Sequence, residues 1–158
     1  MTAKLKLKVG DLVVRFGKIL KVFQVKQDTV NLKPFFDFKG NNGLTYSLNK
    51  KNLDDGNIRL LVSKDKIKTL LNQIINKATL ETDSPVFDAK TALCQNKFEE
   101  TLWVIKNLWL EKKEKLNTLS GGKLSIFKRA INQASEEIAA SNNITPEKAE
   151  LLIMKGLK

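Results

Sequence analysis

The stretch LKVGDLVVRFGKILKVFQV, residues 7–25, decides the fold class of the N-terminal part of the chain. Apolar and polar residues alternate up to a turn at Gly10 and Asp11, and a short apolar run follows from Leu12 to Val14. After Gly17 a second apolar run begins, KILKVFQVK. Alternation with a period of two is typical of a half-buried β-strand. The stretch therefore predicts two strands separated by a glycine turn.

Three further strand-like segments follow without a helix between them. They are NLKPFFDFK (31–39), LTYSLNK (44–50) and IRLLV (58–62), and the turn GNNG (40–43) separates the first two. Four or five short strands with glycine-rich turns favour a small antiparallel barrel of the SH3 or Tudor type. A single twisted sheet would leave long edges, so partial closure is expected.

The period of the apolar residues changes at Ser63. From there they recur at helical spacing, which predicts a helix that continues to about Lys77. Ser63 is placed as the N-cap, and Asp65 lies in the first turn, where the helix dipole favours an acid. The segment ATLETDSPVF (78–87) breaks the pattern and is predicted to be a linker. We therefore expect an α+β protein, with a barrel domain at 1–62 and a helical domain at 63–158.

Three more helix starts are predicted in the C-terminal part. Asn96 is a candidate N-cap with Glu99 at the third position, and Ser120 opens the next helix. Thr145 and Pro146 begin a last helix, which continues through Leu151, Leu152 and Met154. Short amphipathic helices need one another for burial, so a compact bundle of four or five helices is expected.

The charge balance indicates a polyanionic partner. The chain has 28 Lys plus Arg against 17 Asp plus Glu, a formal net charge of +11. Residues 1–62 alone contain 12 basic and 5 acidic side chains. Nucleic acid or an acidic protein surface would suit this charge. A lysine-rich genome and solubility are the alternative explanation.

Catalytic and metal-binding chemistry finds little support in the sequence. The chain has no histidine, and its single cysteine, Cys94, falls in a helix-like apolar pattern and is predicted to be a buried small side chain. The segment SGGKLS (120–125) lacks the spacing of a phosphate-binding loop and follows a helix. We therefore expect a protein that is not an enzyme and has no cofactor and no metal. Without a signal peptide or a long apolar run, it is expected to be cytoplasmic and not membrane-bound.

Two segments together resemble a known family. LKVGDLVV (7–14) resembles the opening of the RNA-polymerase-interacting domain shared by the CarD/CdnL transcription regulators and the transcription-repair coupling factor. VIKNLWLEKKEKLNTLSGGKLSIFKRAINQASEEIAA (104–140) is similar to the CarD helical hairpin. The residues that match the sequence pattern of that hairpin are Val104, Leu108, Trp109, Leu119, Ser120, Gly122, Ala130, Glu137, Ile138 and Ala139.

The resemblance implies a transcription regulator without enzymatic activity. Its Tudor-like barrel would bind the RNA polymerase β subunit, and its helical domain would contact promoter DNA at the upstream edge of the transcription bubble. Both contacts would stabilise the open complex, largely without reading the DNA sequence. A nucleoid-associated, cytoplasmic monomer is the corresponding expectation.

The residues expected to bind the polymerase lie around the third and fourth strands. A family arginine that faces the polymerase falls near Ser47, and position and charge suggest Lys26, Tyr46, Lys50 and Lys51 as substitutes. A strand edge within 31–48 is expected to pair with a partner strand.

The residues expected to contact DNA lie in the helical part. The family's minor-groove Trp is missing, and Phe87 is the only aromatic residue near its position, so Phe87 is the candidate wedge. Phosphate contacts are assigned to Lys90, Lys97, Lys123, Lys128 and Arg129.

The sequence departs from the family at two turns. Arg15, Phe16, Gly17 and Lys18 replace a longer first turn, and Lys123 stands where the family usually has an acid.

Two other functions remain open. One is an RNA-binding barrel of the KOW or Tudor type with a helical appendage, in which Phe35, Phe36, Phe38 and Tyr46 would stack on bases. The other is an assembly factor that binds an acidic protein and no nucleic acid.

Overall fold

The computed structural model describes residues 5–36, 44–53, 58–76, 89–116 and 118–157. Its internal contacts divide the chain into two compact units, Met1–Leu61 and Val62–Lys158. The first unit contains the β-strands and the second contains the long helices. The predicted α+β class is therefore confirmed at this level.

The N-terminal unit is a five-stranded antiparallel sheet that curls into a half-barrel. The strands are β1 (Leu12–Arg15), β2 (Lys18–Val25), β3 (Thr29–Pro34), β4 (Tyr46–Asn49) and β5 (Ile58–Leu60). Their order in the sheet is β4-β3-β2-β1-β5, so β4 and β5 are the edges. Residues 7–25, the stretch that predicted two strands, contain β1 and β2. These strands pair with each other, and Val13 lies opposite Leu20.

The inner face of this sheet is the core of the first unit. Alternation along the strands buries Val13, Leu20, Val22, Val30 and Leu32 together. Burial of each such side chain stabilises the folded state by about 1.5–3 kcal/mol relative to leaving that side chain exposed. This inner face therefore follows the period of two that indicated strands in the sequence.

The first turn is a tight two-residue hairpin. Arg15 pairs with Lys18, and the two residues between them, Phe16 and Gly17, have φ of 51° and 78°. Positive φ at both central residues is the geometry of a type I′ turn, which matches the twist of the flanking strands. Gly17 adopts it at no steric cost, whereas Phe16 is strained there and its side chain is 55% exposed.

Two strand predictions need correction. Residues 5–8 form no strand, and a hydrogen bond from the Lys8 N–H to the Asp11 carboxylate at 2.8 Å closes the turn at Val9 and Gly10. The third strand ends at Pro34, and the Phe35 N–H still donates to the Ile19 carbonyl of β2 at 3.0 Å. The predicted turn at 40–43 and Phe38 lie outside the described residues.

The C-terminal unit is helical. Its helices begin where Ser63, Ser120 and Thr145 place them, and each of these hydroxyls accepts a backbone N–H three residues later. A π-helical segment, Leu71–Ile75, directly follows the first helix. The α-helices are α1 (Lys64–Leu70), α2 (Ala89–Cys94), α3 (Phe98–Glu114), α4 (Gly121–Asn142) and α5 (Pro146–Leu157). Within the described ranges, none of them combines the length and apolarity needed to cross a membrane.

The predicted cap at Asn96 is wrong. Lys97 is the N-cap residue of α3, without a side-chain hydrogen bond, and Asn96 has a φ of 55°. Asparagine tolerates the left-handed conformation that follows a helix C-terminus. Asn96 therefore ends the α2 turn instead of starting α3.

The helical core also corrects the burial prediction for Cys94. Cys94, the last residue of α2, is exposed, because Ala92 and Leu93 are the residues of this short helix that face the core. Leu151 and Leu152 of α5 are exposed as well. The buried side of α5 instead follows the helical spacing of Ala149, Ile153 and Leu157.

A buried lysine contacts the end of the π segment. The Lys106 Nζ of α3 donates to the Ile75 carbonyl at 2.8 Å, and the residue is only 2% exposed. Burial, followed by the nearby charge of Lys113, lowers the Lys106 pKa below its ordinary value. Gly156 of α5 packs closely against the same end of the π segment. A Cβ added to Gly156 would lie 3.0 Å from the Ile75 Cγ2 and would overlap the Asn76 amide.

Candidate functional site

A lysine-rimmed cavity opens at one end of the half-barrel. Its volume is about 590 Å³. Leucine and valine side chains of the inner core form its walls, and three lysines stand at its rim. The lining residues are Leu5, Leu7, Val30, Leu53, Lys6, Lys50 and Lys51.

Local hydrogen bonds place two of the rim lysines. The Asn49 Oδ1 accepts the Lys51 N–H at 3.0 Å and so caps the 3₁₀ turn Lys50–Asn52. The Lys50 N–H donates to the Asp28 carbonyl at 2.9 Å, which fixes this turn beside the β2–β3 hairpin. Both lysine side chains are exposed.

Lys26 lies at the same end of the sheet. Its N–H donates to the Thr29 carbonyl at 2.8 Å and closes the β2–β3 turn, on which Lys50 also docks. Asp28, in the same turn, is exposed and partly offsets the positive charge. The structure therefore brings together Lys26, Lys50 and Lys51, three of the residues predicted to bind the polymerase.

The other two predicted residues lie elsewhere on β4. Tyr46 is half-buried against the inner core, and the Arg15 guanidinium carbon lies 6.0 Å from its ring centroid. Ser47 points to the opposite face of the sheet, where it pairs with Asn31. Neither residue lines the cavity.

The predicted strand edge is narrower than 31–48. β3 pairs on both sides, with β2 and with β4, so its backbone is not available to a partner strand. In the described part of that segment, residues 31–36 and 44–48, the edge strand is β4, Tyr46–Asn49.

Sequence reasoning missed Lys6 at the cavity rim and Arg15 beside Tyr46. The alternation LKLK before the first turn contains Lys6 between two leucines that line the cavity, which was a usable signal. Nothing in the sequence pattern pairs Arg15 with Tyr46, because β1 and β4 are not neighbours in the sheet.

The basic residues predicted for DNA contact are spread over the helical unit. Lys90 lies in α2, Lys97 precedes α3, and Lys128 and Arg129 are adjacent in α4; all four are exposed. Phe87, the candidate wedge, lies outside the described residues. Lys128 and Arg129 are the closest pair along the chain and have no acidic partner among the described residues.

Lys123 differs from the other basic residues because it bonds within the molecule. Its Nζ lies 2.5 Å from the Glu111 Oε1, and the Lys115 Nζ lies 2.8 Å from the same oxygen. Hydrogen bonds from Lys115 and then Lys123 hold the Glu111 pKa below its ordinary value. Lys123 therefore joins α4 to the end of α3, which reduces its availability for phosphate.

Acidic and sulfur side chains do not form a metal-type cluster in the part of the chain that the structure describes. No group of three or more His, Cys, Asp or Glu side chains is close enough there to hold an ion.

No protein-family model matches the chain, and no curated protein matches its sequence.

Proposed function

We propose that this protein is a non-enzymatic transcription regulator similar to CarD. Its Tudor-like barrel binds the RNA polymerase β subunit through the lysine-rimmed cavity, and its helical unit contacts promoter DNA. The two sequence segments that resemble the family, residues 7–14 and 104–140, motivate the choice of partner.

The cavity is the observation that carries this proposal. An apolar floor with three lysines at its rim suits an acidic protein surface that inserts an apolar side chain. The positive rim would steer the encounter and the apolar floor would hold the contact. β4, an edge strand among the described residues, ends at Asn49 beside this rim and offers backbone groups to a strand of the partner.

The helical unit supports the second contact. Lys90, Lys97, Lys128 and Arg129 are exposed and can each neutralise a phosphate without reading the base sequence. Such contacts would hold the upstream edge of the transcription bubble and lengthen the life of the open complex.

The test is binding of the full chain to the isolated lobe of the polymerase β subunit, measured by calorimetry. The double variant Lys50→Glu plus Lys51→Glu places like charges against an acidic partner, so its affinity should fall by roughly tenfold or more. The matched control is Lys21→Glu plus Lys33→Glu, which reverses the same number of charges on the other face of the sheet. This control should bind the lobe as the wild type does.

Open-complex lifetime at a promoter provides the functional readout. The wild-type protein should lengthen it, and the Lys50/Lys51 variant should not. A wild-type protein that binds no β lobe and leaves the lifetime unchanged would remove the proposal.

A further inference from the structure

The side of the sheet that faces away from the buried core forms a second surface, which differs chemically from the lysine-rimmed cavity. On β2, β3 and β4, the residues that alternate with the buried core form a group that we call the outer face. Its members are Lys21, Phe23, Gln24, Asn31, Lys33 and Ser47. The three strands contain no Asp or Glu, so this surface is uniformly basic or neutral.

Phe23 is exposed because β2 has a bulge at this position. Val22 pairs with Leu32 and Gln24 pairs with Asn31, so Phe23 is the one residue of β2 without an opposite partner. A bulge redirects a side chain without ending the sheet, and bulges are common beside binding sites. The Phe23 ring remains 37% exposed, and the Lys33 Nζ lies 6.0 Å from its centroid.

Two lysines face each other next to this ring. Lys21 and Lys33 are directly opposite in the β2–β3 ladder. Like charges in a cross-strand pair destabilise a sheet. A bound polyanion would remove this repulsion, so the arrangement favours an occupant that carries regularly spaced negative charge.

Polar groups lie on the other side of the ring. The Asn31 Nδ2 donates to the Gln24 Oε1 at 2.8 Å, which orients both amides. Each amide keeps further donor or acceptor capacity, and the exposed Ser47 hydroxyl lies opposite Asn31. Amides and a hydroxyl can bond to base edges and to a ribose 2′-hydroxyl.

We propose that the outer face binds single-stranded RNA. One base stacks on Phe23, Lys21 and Lys33 contact the adjacent phosphates, and Asn31, Gln24 and Ser47 bond to the base edge and the ribose. An aromatic platform within a positively charged sheet surface is the arrangement that single-stranded nucleic acids favour.

The surface differs from the aromatic residues that the sequence suggested for RNA binding. Tyr46 lies toward the inner core, and Phe35 and Phe36 contact each other edge to face at a centroid distance of 4.9 Å. The outer face is also separate from the cavity, because its lysines do not line the cavity. The proposal is therefore independent of polymerase binding.

The experiment is fluorescence anisotropy of the full chain with a labelled single-stranded RNA of about 12 nucleotides. Phe23→Leu keeps an apolar side chain but removes the stacking surface, so it should weaken binding by roughly tenfold. Phe23→Tyr keeps the ring and should bind as the wild type does. Lys21→Gln plus Lys33→Gln should reduce the slope of log affinity against log salt by about 1.4.

The matched control is Lys50→Gln plus Lys51→Gln, which removes the same charge from the same unit and should leave both Phe23 stacking and most of the RNA affinity intact. Equal losses from the two lysine pairs would mean that net charge alone binds RNA, and would overturn the proposal. Unchanged affinity of Phe23→Leu would also overturn it. Equal affinity for single-stranded DNA of the same sequence would contradict the assignment to RNA.

Discussion

At the scale of single residues, Lys106 is the most unusual group. A lysine ammonium is rarely buried without a carboxylate, yet the hydrogen bond that fixes Lys106 goes to a backbone carbonyl, that of Ile75. The carbonyl lies at the end of the π segment, where the helix leaves acceptors without partners. Lys106 therefore acts as a helix cap that comes from 31 residues away in the sequence.

The lowered Lys106 pKa predicts a pH-dependent stability. Between the lowered value and the ordinary lysine pKa of 10.5, the unfolded chain binds more protons than the folded one. The free energy of unfolding of the wild type should therefore rise with pH in this window, relative to that of Lys106→Met. Urea denaturation at a series of alkaline pH values measures the difference. Parallel curves for the two proteins would show that Lys106 does not titrate in this way.

The burial of Lys106 could not be predicted from the sequence. A lysine inside an apolar stripe is usually explained as a side chain that reaches solvent. The partner is a carbonyl group, which has no sequence signature, and it becomes available only because a π segment ends there. By contrast, Ser63 was predictable as a cap, since a hydroxyl before an apolar stripe acts locally.

At the scale of elements, three helices are followed by a residue whose backbone has the left-handed conformation. Asn96, Leu116 and Asn143 have φ near 55° and follow α2, α3 and α4. Asparagine tolerates this conformation, whereas leucine does so at a cost of roughly 1–2 kcal/mol. Leu116 is also 90% exposed, so it regains nothing by packing.

Leu116→Gly should therefore stabilise the helical unit by about 1 kcal/mol, because glycine adopts this conformation without strain. Thermal unfolding measures the change. Leu151→Gly is the matched control, since Leu151 is exposed within the regular part of α5. There the same substitution should destabilise by about 1 kcal/mol. Changes of the same sign at both positions would refute this explanation.

At the scale of the whole molecule, the positive charge falls into separate surfaces. In the N-terminal unit the cavity rim and the outer face each carry lysines, and in the helical unit Lys128 and Arg129 are exposed and have no acidic partner among the described residues. The net charge of +11 predicted a polyanionic partner from the sequence, but it did not indicate these surfaces. Their positions depend on strand register and on which ion pairs form, and neither is visible in composition.

Duplex DNA provides the test for the helical unit. Replacing Lys128 and Arg129 by Gln should reduce the slope of log affinity against log salt for duplex DNA by about 1.8, because the two phosphate contacts that we propose for them would be lost. The double variant Lys64→Gln plus Lys68→Gln removes the same charge from α1 and should change the slope much less. Filter binding over a series of salt concentrations measures both. A larger effect of the α1 variant would place the DNA contact on that helix instead.

The π segment at Leu71–Ile75 has a consequence for the comparison of related sequences. A π turn contains one residue more than the α turn it replaces. A related chain can therefore lack one residue here and still keep the Ser63 cap before the segment and a backbone acceptor for a lysine after it. An alignment that forbids gaps inside helices would shift every position on one side of the segment by one. It would then separate Lys106 and Gly156 from their true counterparts, so a single-residue gap at 71–75 should be permitted.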